Sequence, residues 1–173
     1  MTDAVCEHCT TDGGEVLYRN AELRIVAVTG ADGEAYRGFC RVIWNAHVKE
    51  MTDLSVVERS TFMNAVFKLE AVLRAELNPE KMNMASLGNM TPHLHWHVIP
   101  RFVSDATFPK TIWATPIATT DDAQDTARAT TPATTPATAQ DSAHVGTLSA
   151  ENVSSEWRRA VQIAFSAAAD SPS

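Results

Sequence analysis

Three of the chain's six histidines fall at alternate positions in the run His93-Leu94-His95-Trp96-His97-Val98-Ile99. In an extended strand successive side chains point to opposite faces. This spacing therefore puts the three imidazoles on one face and Leu94, Trp96 and Val98 on the other. A helix would spread the same residues around its axis. Alternate residues of a strand lie about 6–7 Å apart. At that distance neutral imidazoles can hold a metal ion, or they can set one nucleophile between two hydrogen-bonding groups. A facial metal triad ordinarily recruits a carboxylate or an open-site partner, and no Asp or Glu lies within the run.

The flanks narrow the choice. Before the run, Leu87-Gly88-Asn89-Met90-Thr91-Pro92 is a loop with small polar donors. After it, Pro100 is expected to close the strand, because proline has no N–H for a central ladder. The string Gly88-Asn89-Met90-Thr91-Pro92-His93-Leu94-His95-Trp96-His97-Val98-Ile99-Pro100-Arg101 resembles the histidine triad (HIT) family of nucleotide hydrolases and transferases. It is most like a bacterial, diadenosine tetraphosphate hydrolase-like branch. The family signature is His-x-His-x-His followed by two apolar residues, and the likeness covers roughly residues 4–113.

The resemblance implies a nucleotide hydrolase or transferase acting at the α-phosphate of nucleoside or dinucleoside polyphosphates. It makes His95 the nucleophile and His97 a donor to a non-bridging phosphate oxygen, where negative charge builds. Asn89 and Thr91 stand where the family usually has Gln and Ser or Thr, and Asn83 is a third candidate for substrate contact. It also implies a homodimer. Two other readings stay open: a metal-dependent hydrolase using His93, His95 and His97 as ligands, and a nucleotide-binding module with little turnover.

Cys6-Glu7-His8-Cys9 is a Cys-x-x-Cys pair, two ligands short of a zinc site. Several bacterial HIT proteins carry a Cys2His2 site, and Cys6, Cys9, His47 and His93 fall at matching places, so structural zinc is expected. His8, between the cysteines, is expected to face away from the metal. Cys40, inside a strand, reads as a small buried apolar residue. Arg101 reads as an exposed arginine, with phosphate steering as the alternative, and Trp113 as core, with packing near the site as the alternative.

Composition excludes several classes. The net charge of −7 argues against a non-specific nucleic-acid surface, although local imidazoles and backbone N–H groups can bind phosphate against the global sign. There is no Walker A loop, dinucleotide glycine fingerprint or serine hydrolase pattern. No apolar run reaches the roughly 18 residues of a membrane span, and the start lacks the features of a signal peptide. Three cysteines without such a signal suggest the cytoplasm.

The elements that must position these residues are legible. Residues 14–18, 22–28, 38–46, 82–88 and 93–99 read as strands, and Gly30-Ala31-Asp32-Gly33 breaks the pattern. Ser55-Val56-Val57-Glu58 has capping-box spacing. Phe62, Val66, Leu69, Val72, Leu73 and Leu77 then recur at helical intervals until Asn78-Pro79. The expected fold is α+β: a HIT-like five-stranded antiparallel sheet with one long helix and short helices. Residues 1–117 form the catalytic domain in this reading. Residues 118–148 are an Ala/Thr/Pro-rich linker too poor in large apolar residues to order itself. Residues 149–173 carry a short helix with Trp157, Val161, Ile163 and Phe165.

Overall fold

The computed structural model of the protein describes residues 6–116 and 150–167. The expected linker lies outside the described residues. Five strands form one antiparallel sheet in the order β1-β2-β3-β5-β4: β1 Glu15–Arg19, β2 Leu23–Ala27, β3 Cys40–Trp44, β4 Lys81–Ala85 and β5 His95–Arg101. Short helices α1 (Glu7–Thr10) and α2 (Gly30–Ala35) precede β1 and β3. The long α3 (Val56–Leu77) joins β3 to β4, and α4 (Ala150–Ser166) comes last. The expected α+β sheet is the observed one.

The start of α3 follows its sequence signal. Ser55 Oγ accepts from the Glu58 N–H at 3.3 Å, and the Glu58 carboxylate accepts from the Ser55 N–H at 2.8 Å. Asn78 ends the helix in the left-handed region at φ 44°. Phe62, Val66, Leu69 and Leu73 are fully buried. They pack on the sheet face that carries Leu23, Ile25, Val42, Trp44 and Val98, where Trp157, Val161 and Phe165 of α4 join the same core. Ile163, grouped with these at first sight, is turned outward, because only the i, i+4, i+8 stripe meets the domain.

Strand alternation leaves the opposite face for polar residues. The register sets Arg41 of β3 beside His97, and Ile43 beside His95. The expected strand 82–88 ends at Ala85, the break at Gly30–Gly33 falls within helix α2, and two further details depart from expectation. β5 begins at His95, not His93, because the His93 N–H turns back to the Thr91 carbonyl at 2.8 Å. Pro100 lies inside β5 instead of ending it. β3 pairs with β5 only as far as Cys40–Val98, so Pro100 meets a strand on one side alone, opposite Met82.

Candidate active site

His95 and His97 project from the same face of β5 with ring centroids 4.9 Å apart. His95 Nδ1 lies 2.6 Å from the His93 carbonyl oxygen. A carbonyl can only accept, so Nδ1 carries the proton. In a neutral ring the lone pair is then on Nε2. Burial is the main reason that the His95 pKa falls below its ordinary value, and the charge of Arg41 adds to it. His97 is pushed down to about 4, first by burial and then by His95 and Arg41. Its buried Nδ1 has no hydrogen-bond partner among the described residues.

The first histidine of the run is used differently. His93 Nε2 donates to the Trp44 carbonyl at 2.6 Å, which leaves the Nδ1 lone pair facing Cys6 Sγ at 3.4 Å and Cys9 Sγ at 3.6 Å. The three imidazoles therefore do not converge on one point.

A cavity of about 320 Å³ opens at His95 and His97, lined also by His8, Arg41, Asn89, Thr91 and Trp113. Asn89 and Thr91 are thus brought to the histidines. Thr91 Oγ1 donates to the Glu7 carboxylate at 3.4 Å. Asn83 is not brought there. It lines a separate hollow of about 300 Å³, and its Oδ1 accepts from Arg101 at 3.0 Å.

Several neighbours complete the site. Trp113 is not core but half exposed, with its ring 5.5 Å from that of His97. His8 faces away from the cysteine sulfurs as expected, and its destination is the histidine cluster, 4.9 Å from the His95 ring. Burial above all holds its pKa at about 3. Gly13 makes room for it: a Cβ there would come within 3.0 Å of His8 Nδ1, and its φ of 81° also favours glycine. Arg41, a lone charge in an apolar strand, is a signal the sequence did offer. Arg101 is not exposed but 1 % accessible, bonded to Asp105 at 2.8 Å and to Thr107, Asn83 and the Lys110 carbonyl. It fastens the loop after β5 and does not reach the histidines.

Cys6, Cys9, His47 and His93 offer four ligand atoms within 4.8 Å of one another. Cys9 Sγ to His47 Nδ1 is 3.4 Å. Tetrahedral zinc with bonds of about 2.0–2.3 Å requires ligand separations of roughly 3.3–3.8 Å. The donor set, the 3.4–3.6 Å separations of Cys6–His93, Cys9–His47 and Cys9–His93, and the Trp44 carbonyl on the far side of His93 suit a metal ion. Arg24 secures the segment carrying the cysteines: its guanidinium donates to the carbonyls of Asp12 (3.0 Å), His8 (2.7 Å) and Thr11 (3.4 Å).

An α+β fold with a five-stranded antiparallel sheet and two convergent imidazoles on its interior strand β5 defines a histidine triad domain. The HIT domain family model matches residues 16–104, and the chain belongs to that family. Among solved structures, it resembles a histidine triad protein of Bradyrhizobium japonicum at 21% identity, covering 69% of this chain and 88% of that one with a TM-score of 0.55. A histidine triad protein of Sinorhizobium meliloti 1021 gives 20% identity, 70% and 90% coverage and 0.55. A HIT family member of Bacillus subtilis gives 21%, 69% and 86%, and 0.52. No curated protein matches in sequence. Among the described residues no helix is long and apolar enough to cross a membrane.

Proposed function

We propose that this protein is a nucleotide hydrolase or transferase that works through a nucleotidyl-His95 intermediate, in the manner of diadenosine tetraphosphate hydrolases. The observation that carries the reading is the 2.6 Å contact from His95 Nδ1 to the His93 carbonyl. It commits the proton to Nδ1 and leaves Nε2 as the nucleophile. In the first step the Nε2–P bond forms and the bond from the α-phosphorus to the leaving oxygen breaks, its electron pair departing with the leaving group. Nδ1–H stays on the carbonyl, which stabilises the cationic ring. Water then attacks phosphorus, the P–N bond breaks, the pair returns to Nε2, and a proton goes to solvent. His97, Asn89 and Thr91 donate to the non-bridging oxygens.

Cys6, Cys9, His47 and His93 hold zinc in this reading. The ion supplies no chemistry to the substrate and serves to fix the N-terminal segment, and with it His8, against the sheet. Convergence of His93 on that cluster speaks against a metal triad of His93, His95 and His97, because its Nε2 is already committed to Trp44. The reading includes the homodimer that the resemblance implies, with β4, an edge strand among the described residues, offering a ladder to a second copy. Cys6, Cys9 and Cys40 form no disulfide among the described residues, and the reading keeps the cytoplasmic setting.

The test is to quench the protein during turnover of diadenosine tetraphosphate and read the adduct by mass spectrometry. A nucleotidyl adduct on His95, absent from His95→Asn along with turnover, is expected. Turnover by His95→Asn above a few percent of the wild-type rate would sink the assignment.

A further inference from the structure

Four buried or paired arginines of this domain have evident tasks. Arg24 binds carbonyls of the N-terminal segment, Arg101 binds Asp105 and its loop, Arg19 pairs with Asp12, and Arg158 pairs with Glu15. Arg41 differs. Of its five N–H donors, one bonds to the Gly13 carbonyl at 3.2 Å, and its buried Nε has no partner among the described residues. Among the described residues no carboxylate lies within the 4.0 Å of an ion pair with it. Glu7 and Asp32 are near enough to favour its charge but do not reach it. The residue is half-buried, with the Phe39 ring 5.6 Å from its guanidinium carbon, so a buried Nε–H and one neutral acceptor leave donors for a further acceptor to complete.

Its position says what would. Arg41 is the cross-strand neighbour of His97 on the reactive face. It lines the cavity at His95 and also an adjoining cavity of about 770 Å³ that runs past Glu7, Gly13, Gly14 and Asp32. In that second cavity Asp12 and Glu15 are already neutralised by Arg19 and Arg158. The fork of a guanidinium suits two phosphate oxygens. A phosphoanhydride places a second phosphate beside the one under attack, whereas a phosphoramidate places an amine there.

We infer that Arg41 anchors the β-phosphate of the substrate, so that the protein selects nucleoside polyphosphates over nucleoside phosphoramidates. The inference rests on the nucleotidyl-histidine reading. As Nε2–P forms and the anhydride P–O bond breaks, the electron pair and its negative charge move onto the leaving phosphate, where Arg41 meets them. Preorganised donors of this kind are worth ~10²–10³ in rate.

The experiment compares kcat/KM for diadenosine tetraphosphate and for adenosine phosphoramidate in the wild type and in Arg41→Gln. The ratio of the two should fall at least tenfold in the variant. An equal loss on both substrates, or no loss, would overturn the inference while leaving the nucleophile reading intact. Calorimetry on His95→Asn, which consumes neither ligand, supplies a second measure. ADP should bind at least tenfold more tightly than AMP, and the gap should close when Arg41→Gln is added. Equal affinity for ADP and AMP in His95→Asn alone overturns the inference without relying on folding of the Arg41 variant. If the wild type turns over neither substrate yet the ADP preference depends on Arg41, the nucleophile reading fails and the anchor stands.

Discussion

His97 carries a cost that becomes visible in acid. Burial, assisted by the His95 ring beside it on β5 and the Arg41 charge from β3, holds its pKa at about 4, while the Leu87 backbone opposes them. In the unfolded chain the value is near 6.5. Between the two the unfolded state binds a proton that the folded state refuses, so stability is complete above pH 6.5 and is lost as pH falls toward 4. Urea titrations should show the wild type losing stability relative to His97→Gln across that window, by up to about 1.4 kcal/mol per pH unit. Parallel curves for the two proteins would mean that His97 accepts its proton freely when folded. Arg101 makes the opposite case, a charge that is fully met. Arg101→Ala strands Asp105, itself 6% exposed, and should cost about 3–5 kcal/mol in denaturant unfolding. A loss under 1 kcal/mol would make the network incidental.

At the scale of elements, α1 depends on what holds it. Four residues are too few for a stable helix in water, so the cysteine segment needs Arg24 and a metal ion. Purified protein should contain about one zinc per chain. With free zinc at ~1,000 times its Kd, the ion would add about 4 kcal/mol. Chelation should therefore lower the melting temperature of the wild type and leave Cys6→Ser/Cys9→Ser, already low, unmoved. Equal insensitivity of both would exclude a fold-linked ion. The contrast between α1 and α3 also explains what the sequence revealed. The capping box of α3 and its apolar period are local, and they appear in the structure where they were expected. The period-2 run of histidines gave the reactive face for the same reason. His93 left that face because the Thr91 turn and the cysteines, 84 and 87 residues away in the chain, decide its direction. Arg101 could not be placed, since its partners come from a loop with no periodicity. Trp113 followed suit. Arg41 was legible in part: a charge amid Phe39, Cys40, Val42 and Ile43 marks either a face change or a site, and only the strand register tells which.

Across the whole molecule, the sheet separates two functions. Its polar face carries the histidines, and its apolar face is closed by α3 and by α4, which lies beyond the family-matched residues 16–104. Phe165 stacks near Tyr18 at 5.3 Å and lies under the Lys68 ammonium at 4.8 Å, while Arg158 pairs with Glu15 at 3.0 Å. These contacts make α4 part of the core and not an appendage. Trp157 is 3% exposed and Ile163 is 59% exposed on the same helix, which provides an internal control. Trp157→Ala should cost about 3–5 kcal/mol through lost burial and the cavity left behind. Ile163→Ala should stay within about 0.5 kcal/mol of the wild type. Both follow from urea midpoints at constant slope. Because α4 packs on the side of the sheet away from His95, the folded fraction of Trp157→Ala should retain the wild-type kcat at low temperature. If the two substitutions shifted the midpoint equally, α4 would not share the core. If Trp157→Ala lowered kcat in protein shown to be folded, the two faces of the sheet would be coupled and not independent.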